Sequence, residues 1–259
     1  MAENIVLFCE CQSRKDTKEW NKMTKMLNQV DDFHQVTIND LCGICAMDSK
    51  KLADLINDAR KVIMIACHPR AVRLLLNQAG IHYPDKIRFF NLLEKNTDEL
   101  VPIIEDFRFS DRDYPDQREL LADPSWPAWY PLIDDLRCNA CGQCAEFCLF
   151  GVYQKINGKV EIVNPKACKN NCPACARICP NVAIVFPKYA QRGAIQGSDS
   201  INETLEMQRL RQDTAALLGT DIYQALEQRK MKRRSVIREA AMQQAILERD
   251  EARSETGTL

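Results

Sequence analysis

CNACGQCAEFC, residues 138–148, sets Cys138, Cys141, Cys144 and Cys148 at the spacing C-x2-C-x2-C-x3-C. A second run, CKNNCPACARICP at 168–180, sets Cys168, Cys172, Cys175 and Cys179 at C-x3-C-x2-C-x3-C-P. Short spacings of this kind let one loop curl around a polynuclear centre with three thiols. A fourth thiol must then approach from another direction. Paired C-x2-C knuckles also suit zinc, which stands as the competing reading. Two such runs in tandem favour iron–sulfur chemistry.

The intervening residues support a small folded unit. VYQKINGKVEIV has β-prone segments at 152–156 and 160–163 around Asn157-Gly158. An Asn-Gly pair is the turn that a tight hairpin uses. NVAIVFP after the second run echoes FGVYQK after the first, so the half-repeat extends beyond the cysteines.

On these motifs, residues 134–190 resemble the bacterial two-cluster ferredoxins. The resemblance implies an α+β ferredoxin-like domain holding two [4Fe-4S] clusters. It also implies crossed ligation, in which the fourth cysteine of each run serves the other cluster. One cluster is then expected at Cys138, Cys141, Cys144 and Cys179, the other at Cys168, Cys172, Cys175 and Cys148. Two positions depart from the family pattern. Leu149 replaces the proline that usually follows the fourth cysteine, a change in φ restriction and not in ligation. One extra residue separates Cys168 from Cys172, which leaves a three- or a four-iron cluster open there.

Residues 1–107 alternate strand and helix patterns. NIVLFC at 4–9, HQVTIND at 34–40, KVIMIAC at 61–67 and KIRFFNLL at 86–93 read as strands. Between them, residues 17–30 space Trp20, Met23, Leu27 and Val30 as a helix, and LADLINDA repeats that period. Pro69 and Gly80 bracket another helix. Asn96 and Glu99 have capping-box spacing at the start of a last one, with Pro102 tolerated only near its beginning. The pattern predicts an α/β domain with a parallel sheet covered on both faces.

In such a sheet the strand ends share one carboxyl rim, where ligands bind. Cys9 and Cys11 follow strand one, Cys42 and Cys45 follow strand two in what reads as a loop, and Cys67 closes strand three. Buried cysteine as a small hydrophobe accounts for one of these but poorly for C-x-C together with C-x2-C. Spacing alone favours Cys45 over Cys67 as a ligand, since Cys42 and Cys45 form the tighter pair. LFCEC, DLCGICAMD and VIMIACHPRAVRLLLNQAG resemble the N-terminal domain of the flavin-carrying subunit of heterodisulfide reductases. That resemblance implies a third iron–sulfur cluster on Cys9, Cys11, Cys42 and Cys67, with Cys45 in excess. The flavin-binding part has no counterpart, and neither G-x-G-x-x-G nor G-x4-G-K-[ST] occurs. Cys67 also precedes a helix start beside His68 and Arg70, a setting that can activate a thiol. His34 and His82 join no recognisable constellation.

The whole chain has 259 residues, thirteen cysteines and a formal net charge of −1. Its charge gives no reason to expect nucleic acid. No apolar run is long enough to span a bilayer, and the start has no signal-peptide pattern, so a cytoplasmic location is expected, with peripheral association with a membrane complex left open. Thiols in a reducing compartment serve metals and redox chemistry more often than disulfides.

Residues 108–133 carry four prolines and read as an extended linker whose Trp126, Trp129 and Tyr130 pack on the ferredoxin-like domain or meet a partner. Residues 191–259 read as a flexible hinge at 191–200 followed by a polar helical docking arm. Its RKMKRR run at 229–234 suits a solvated or partner-facing stretch. The expected function is an electron-transfer subunit of a larger, heterodisulfide-reductase-like oxidoreductase. It would form a hetero-oligomer with a flavoprotein or catalytic subunit and have no catalytic residues of its own. The alternative is a redox-responsive or metal-binding adaptor that recruits its partner through the C-terminal helix.

Overall fold

The computed structural model describes residues 4–11, 18–27, 34–83, 85–107, 118–191, 193–218 and 231. Five parallel strands form one sheet in the order β4-β3-β1-β2-β5: β1 Asn4–Cys9, β2 His34–Ile38, β3 Lys61–Ala66, β4 Ile87–Asn91 and β5 Arg118–Leu120. The four strands expected from sequence are present. The fifth, β5, lies within the stretch read as an extended linker. There it adds to the outer edge of β2, with Thr37 paired to Glu119. Three residues flanked by proline-rich sequence carry no strand periodicity of their own, so only the β2 edge reveals them.

Alternation along the strands separates two cores. Val6, Phe8, Ile63 and Ile65 face α1 (Lys18–Leu27) and α5 (Thr97–Glu105), which contribute Met23, Leu27, Leu100 and Ile104. Ile5, Leu7, Cys9, Met64 and Ala66 face α2 (Leu41–Met47), α3 (Lys50–Asp58) and α4 (Pro69–Gln78). The period of two forces this division, because adjacent strand side chains point to opposite faces. Asn96 caps α5 through both bonds of a capping box, at 3.1 and 3.2 Å.

The second region is built from two small antiparallel pairs. β6 (Leu132–Ile133) pairs with β9 (Ile184–Val185), and β7 (Tyr153–Ile156) pairs with β8 (Lys159–Ile162). Asn157 and Gly158 join the hairpin with φ of 49° and 80°, the conformation their pairing predicts. Short helices α6 (Gln143–Phe147) and α7 (Ala174–Arg177) follow the cysteine loops, and α8 spans Glu203–Leu218. The two halves repeat at an interval of 31 residues. Ala140 and Asn171 both adopt left-handed φ immediately before the second cysteine of each run, and Gly151 and Val182 do so after the fourth. The additional residue after Cys168 is absorbed before this point.

Residues 191–200 are not the hinge expected from their composition. Ala194, Ile195, Gln196, Gly197 and Ser198 are buried. The Ile195 carbonyl accepts from the Phe186 N–H at 2.7 Å, and a Cβ on Gly197 would lie 2.6 Å from that of Ala71 in α4. The segment reads as polar and glycine-rich because glycine is required for this close approach. Trp129 and Tyr130 are likewise buried in the seam between the two regions, which removes them as a partner-docking surface. The expected arm beyond α8, including the basic run, lies outside the described residues apart from Met231, which is helical and exposed. Among the described residues no helix is long and apolar enough to cross a membrane.

Candidate metal centre

The eight thiols of the second region separate into two groups that cross between the runs. Burial pushes the Cys144 thiol up to about 12, and the neighbouring charges of Cys179, Cys138 and Cys141 act in the same direction. Burial also raises Cys179, and Cys141 and Cys138 add to it. These four, Cys138, Cys141, Cys144 and Cys179, line a single small cavity behind β6 and β9. In the other group, burial pushes Cys168 up to about 12, followed by the charges of Cys172 and Cys148. Cys175 is raised by burial and by Cys168, Cys144 and Cys148. The fourth cysteine of each run thus stands with the first three of the other.

Hydrogen-bond donors aim at these sulfurs, among them backbone groups of Ala145 at Cys144 and of Asn181 at Cys179. The Ala183 N–H reaches Cys179 Sγ at 3.3 Å, and the buried Tyr153 hydroxyl donates to Cys175 Sγ at 3.1 Å. Soft thiolates in groups of four suit an iron–sulfur cluster, and N–H and O–H donors stabilise the charge such a group carries. The residues present therefore fit the group. Among the described residues, no three His, Cys, Asp or Glu side chains converge closely enough to hold a single metal ion.

The N-terminal thiols gather at the carboxyl rim, where the chain reverses direction across the sheet. β2 lies on one side of β1 and β3 on the other, so the crevice opens between β1 and β3. Cys9 ends β1 and Cys67 follows β3 at that crevice. Burial holds the Cys9 thiol well above its ordinary value, and Cys11 and Cys67 are charged neighbours that raise it further. Cys42 is raised by burial and by Asp40, with Cys67 and Cys11 also adjacent. Cys45 differs. Burial pushes it up to about 12, and Asp40 is the only other contributor.

Cys42 and Cys45 lie on helix α2, not in the loop expected from sequence. Asp40 caps this helix by accepting from the Gly43 N–H at 3.3 Å. A Cβ on Gly43 would come within 2.8 Å of Ala122 Cβ, so glycine lets α2 press against the segment after β5. Both thiols are buried in the same core, but Cys67 and Cys11 act on Cys42 and not on Cys45.

Residues from the second region close the rim. Lys188 Nζ donates to Asp40 Oδ2 at 2.5 Å and also to the Pro127 carbonyl, and it faces Cys42 and Cys11 electrostatically. The Tyr130 hydroxyl donates to the Cys42 carbonyl at 2.8 Å, and its ring stacks on Trp126 with centroids 5.6 Å apart. Neither Lys188 nor Asp40 carries a motif, so sequence reasoning missed both. The residues expected beside Cys67 also make other contacts. Arg70 donates to Asp134, Ala194 O and Val182 O, and the His68 ring contacts Asn91 and Gln196. Cys168 packs against both the sheet core that holds Cys9 and Cys42 and the core around Cys175.

No protein-family model matches the chain. Over 45 residues it is 49% identical to a protein of Methanocaldococcus jannaschii named as an uncharacterized ferredoxin. The match covers 17% of this chain and 31% of that protein, so the chain spans about a third of the relative's length.

Proposed function

We propose that the chain is the iron–sulfur electron-transfer subunit of a larger oxidoreductase of heterodisulfide-reductase-like type. Cys138, Cys141, Cys144 and Cys179 would hold one [4Fe-4S] cluster, and Cys148, Cys168, Cys172 and Cys175 a second. Cys9, Cys11, Cys42 and Cys67 would hold a third iron–sulfur centre. When bound, these groups accept and release single electrons.

The observation that carries this reading is the crossed grouping of the eight thiols. Crossing gives each cluster three ligands from one loop and one from the other, the arrangement two-cluster ferredoxins use. The similarity to a protein named as a ferredoxin supports it further. Cys168 packs against both cores, so a second cluster held there would border the sheet domain. Cys141 is exposed, and so is Leu136, which offers surface for a flavoprotein or catalytic partner.

The test is iron and acid-labile sulfide per chain on anaerobically purified protein, with EPR of the reduced sample. About 12 irons are expected for three clusters and about 8 for two. Zinc without sulfide overturns the reading. Co-purification with a partner that has no redox centre, and that leaves on oxidation, would point instead to an adaptor.

A further inference from the structure

Tyr153 opens β7 and is buried among Cys144, Cys148 and Cys175. Its hydroxyl donates to Cys175 Sγ at 3.1 Å. The internal repeat supplies a comparison within the same molecule. At the interval of 31 residues Cys144 corresponds to Cys175, Cys148 to Cys179 and Tyr153 to Ile184. Ile184 occupies the matching strand position in β9 and has no polar side-chain atom. The hydroxyl donor therefore belongs to one half only.

We propose that Tyr153 sets the reduction potential of the centre held by Cys148, Cys168, Cys172 and Cys175, raising it selectively through its O–H···S bond to Cys175. This inference rests on the iron–sulfur reading above. A donor on a ligand sulfur stabilises the reduced, more negative state over the oxidised one, so the potential rises. Burial strengthens the effect, because little solvent screens the bond. Exchange between the two ferredoxin-type centres moves one electron. One centre is oxidised, the other reduced, and no bond or proton changes place. Raising the Cys175 centre biases that electron toward the cluster that borders the sheet domain through Cys168.

The experiment is a potentiometric titration followed by EPR on the full, anaerobically loaded chain. Wild type is compared with Tyr153→Phe and with 3-fluorotyrosine incorporated at position 153. A Cys141→Ser background marks the signal of the other cluster. Tyr153→Phe is expected to lower one ferredoxin-type potential and leave the other in place. A tenfold fall in the reduced-to-oxidised ratio at fixed solution potential corresponds to about 59 mV for a one-electron couple. Fluorotyrosine, a stronger donor of the same shape, is expected to raise the same potential. If Tyr153→Phe fails to load, the fluorotyrosine protein decides the matter. Unchanged potentials, or equal movement of both, overturn the proposal while leaving the iron–sulfur reading intact. Absence of iron and sulfide in the wild-type chain would overturn that reading itself.

Discussion

Arg70 Nε donates to Asp134 Oδ2 at 2.8 Å, and each side chain is only 10% exposed. Arg70 lies in the first turn of α4, just after Cys67, and Asp134 lies just ahead of Cys138, whose N–H bonds the Asp134 carbonyl at 2.9 Å. The same guanidinium reaches the Ala194 and Val182 carbonyls at 3.2 and 3.1 Å. One buried ion pair therefore fastens the rim of the sheet to the loop of the first cysteine run.

Removing one partner of such a pair strands the other charge in the interior. Arg70→Met is expected to lower unfolding stability by about 3–5 kcal/mol. Adding Asp134→Leu to it should recover part of the loss. Urea unfolding of the loaded chain measures both. A single variant within about 1 kcal/mol of wild type would mean the pair behaves like a solvent-screened surface contact.

The choice between Cys67 and Cys45 has a direct readout. Cys67 acts on Cys9 and Cys42, whereas the shift of Cys45 has Asp40 and none of these thiols behind it. Cys67→Ala should lose about 4 irons per chain, and Cys45→Ala should retain them. The reverse pattern would restore the closer-spaced pair as ligands.

Gly197 has a φ of +106° and faces Ala71 at van der Waals overlap for any added Cβ. Gly197→Ala combines backbone strain with a steric clash and should cost about 1–3 kcal/mol or more. Thermal unfolding would show it. Ala71→Gly in the same chain should return only part of the steric cost, since Val185 Cγ1 at 3.0 Å and the Cα of residue 71 at 3.2 Å remain close, and should leave the strain. Proteolysis tests the same point: residues 191–200 should resist cleavage in wild type and become sensitive in Gly197→Ala.

Cys45 makes the cluster-free chain sensitive to alkali. Burial, then the Asp40 charge, pushes its folded thiol up to about 12, against about 8.5 for an unfolded cysteine. The folded state thus holds the proton more tightly. This contribution is fully present below about pH 8.5 and is lost as pH rises toward 12. Between pH 8 and 10 the fall in unfolding free energy should be smaller in Cys45→Ala, by on the order of 1–2 kcal/mol. An identical pH profile in the two proteins would show that water reaches the thiol.

Local pattern made much of this protein legible. The spacing of the two cysteine runs, the Asn157-Gly158 hairpin, the Asn96–Glu99 cap and four of the five strands all depend on residues close together in the chain. Their geometry is set by short-range sterics and hydrogen bonding, so it shows in the order of residue types. The heterodisulfide-reductase resemblance implies Cys67 as a ligand where spacing alone favours Cys45. Strand β5, the burial of residues 194–198, the Arg70–Asp134 pair and the approach of Lys188 to Asp40 carry no local signature. Arg70 and Asp134 are 64 positions apart, and Lys188 and Asp40 are 148 apart. Each forms only because burying the face that holds Cys9 and Cys42 brings distant segments over it, and no sequence period encodes which segment arrives there.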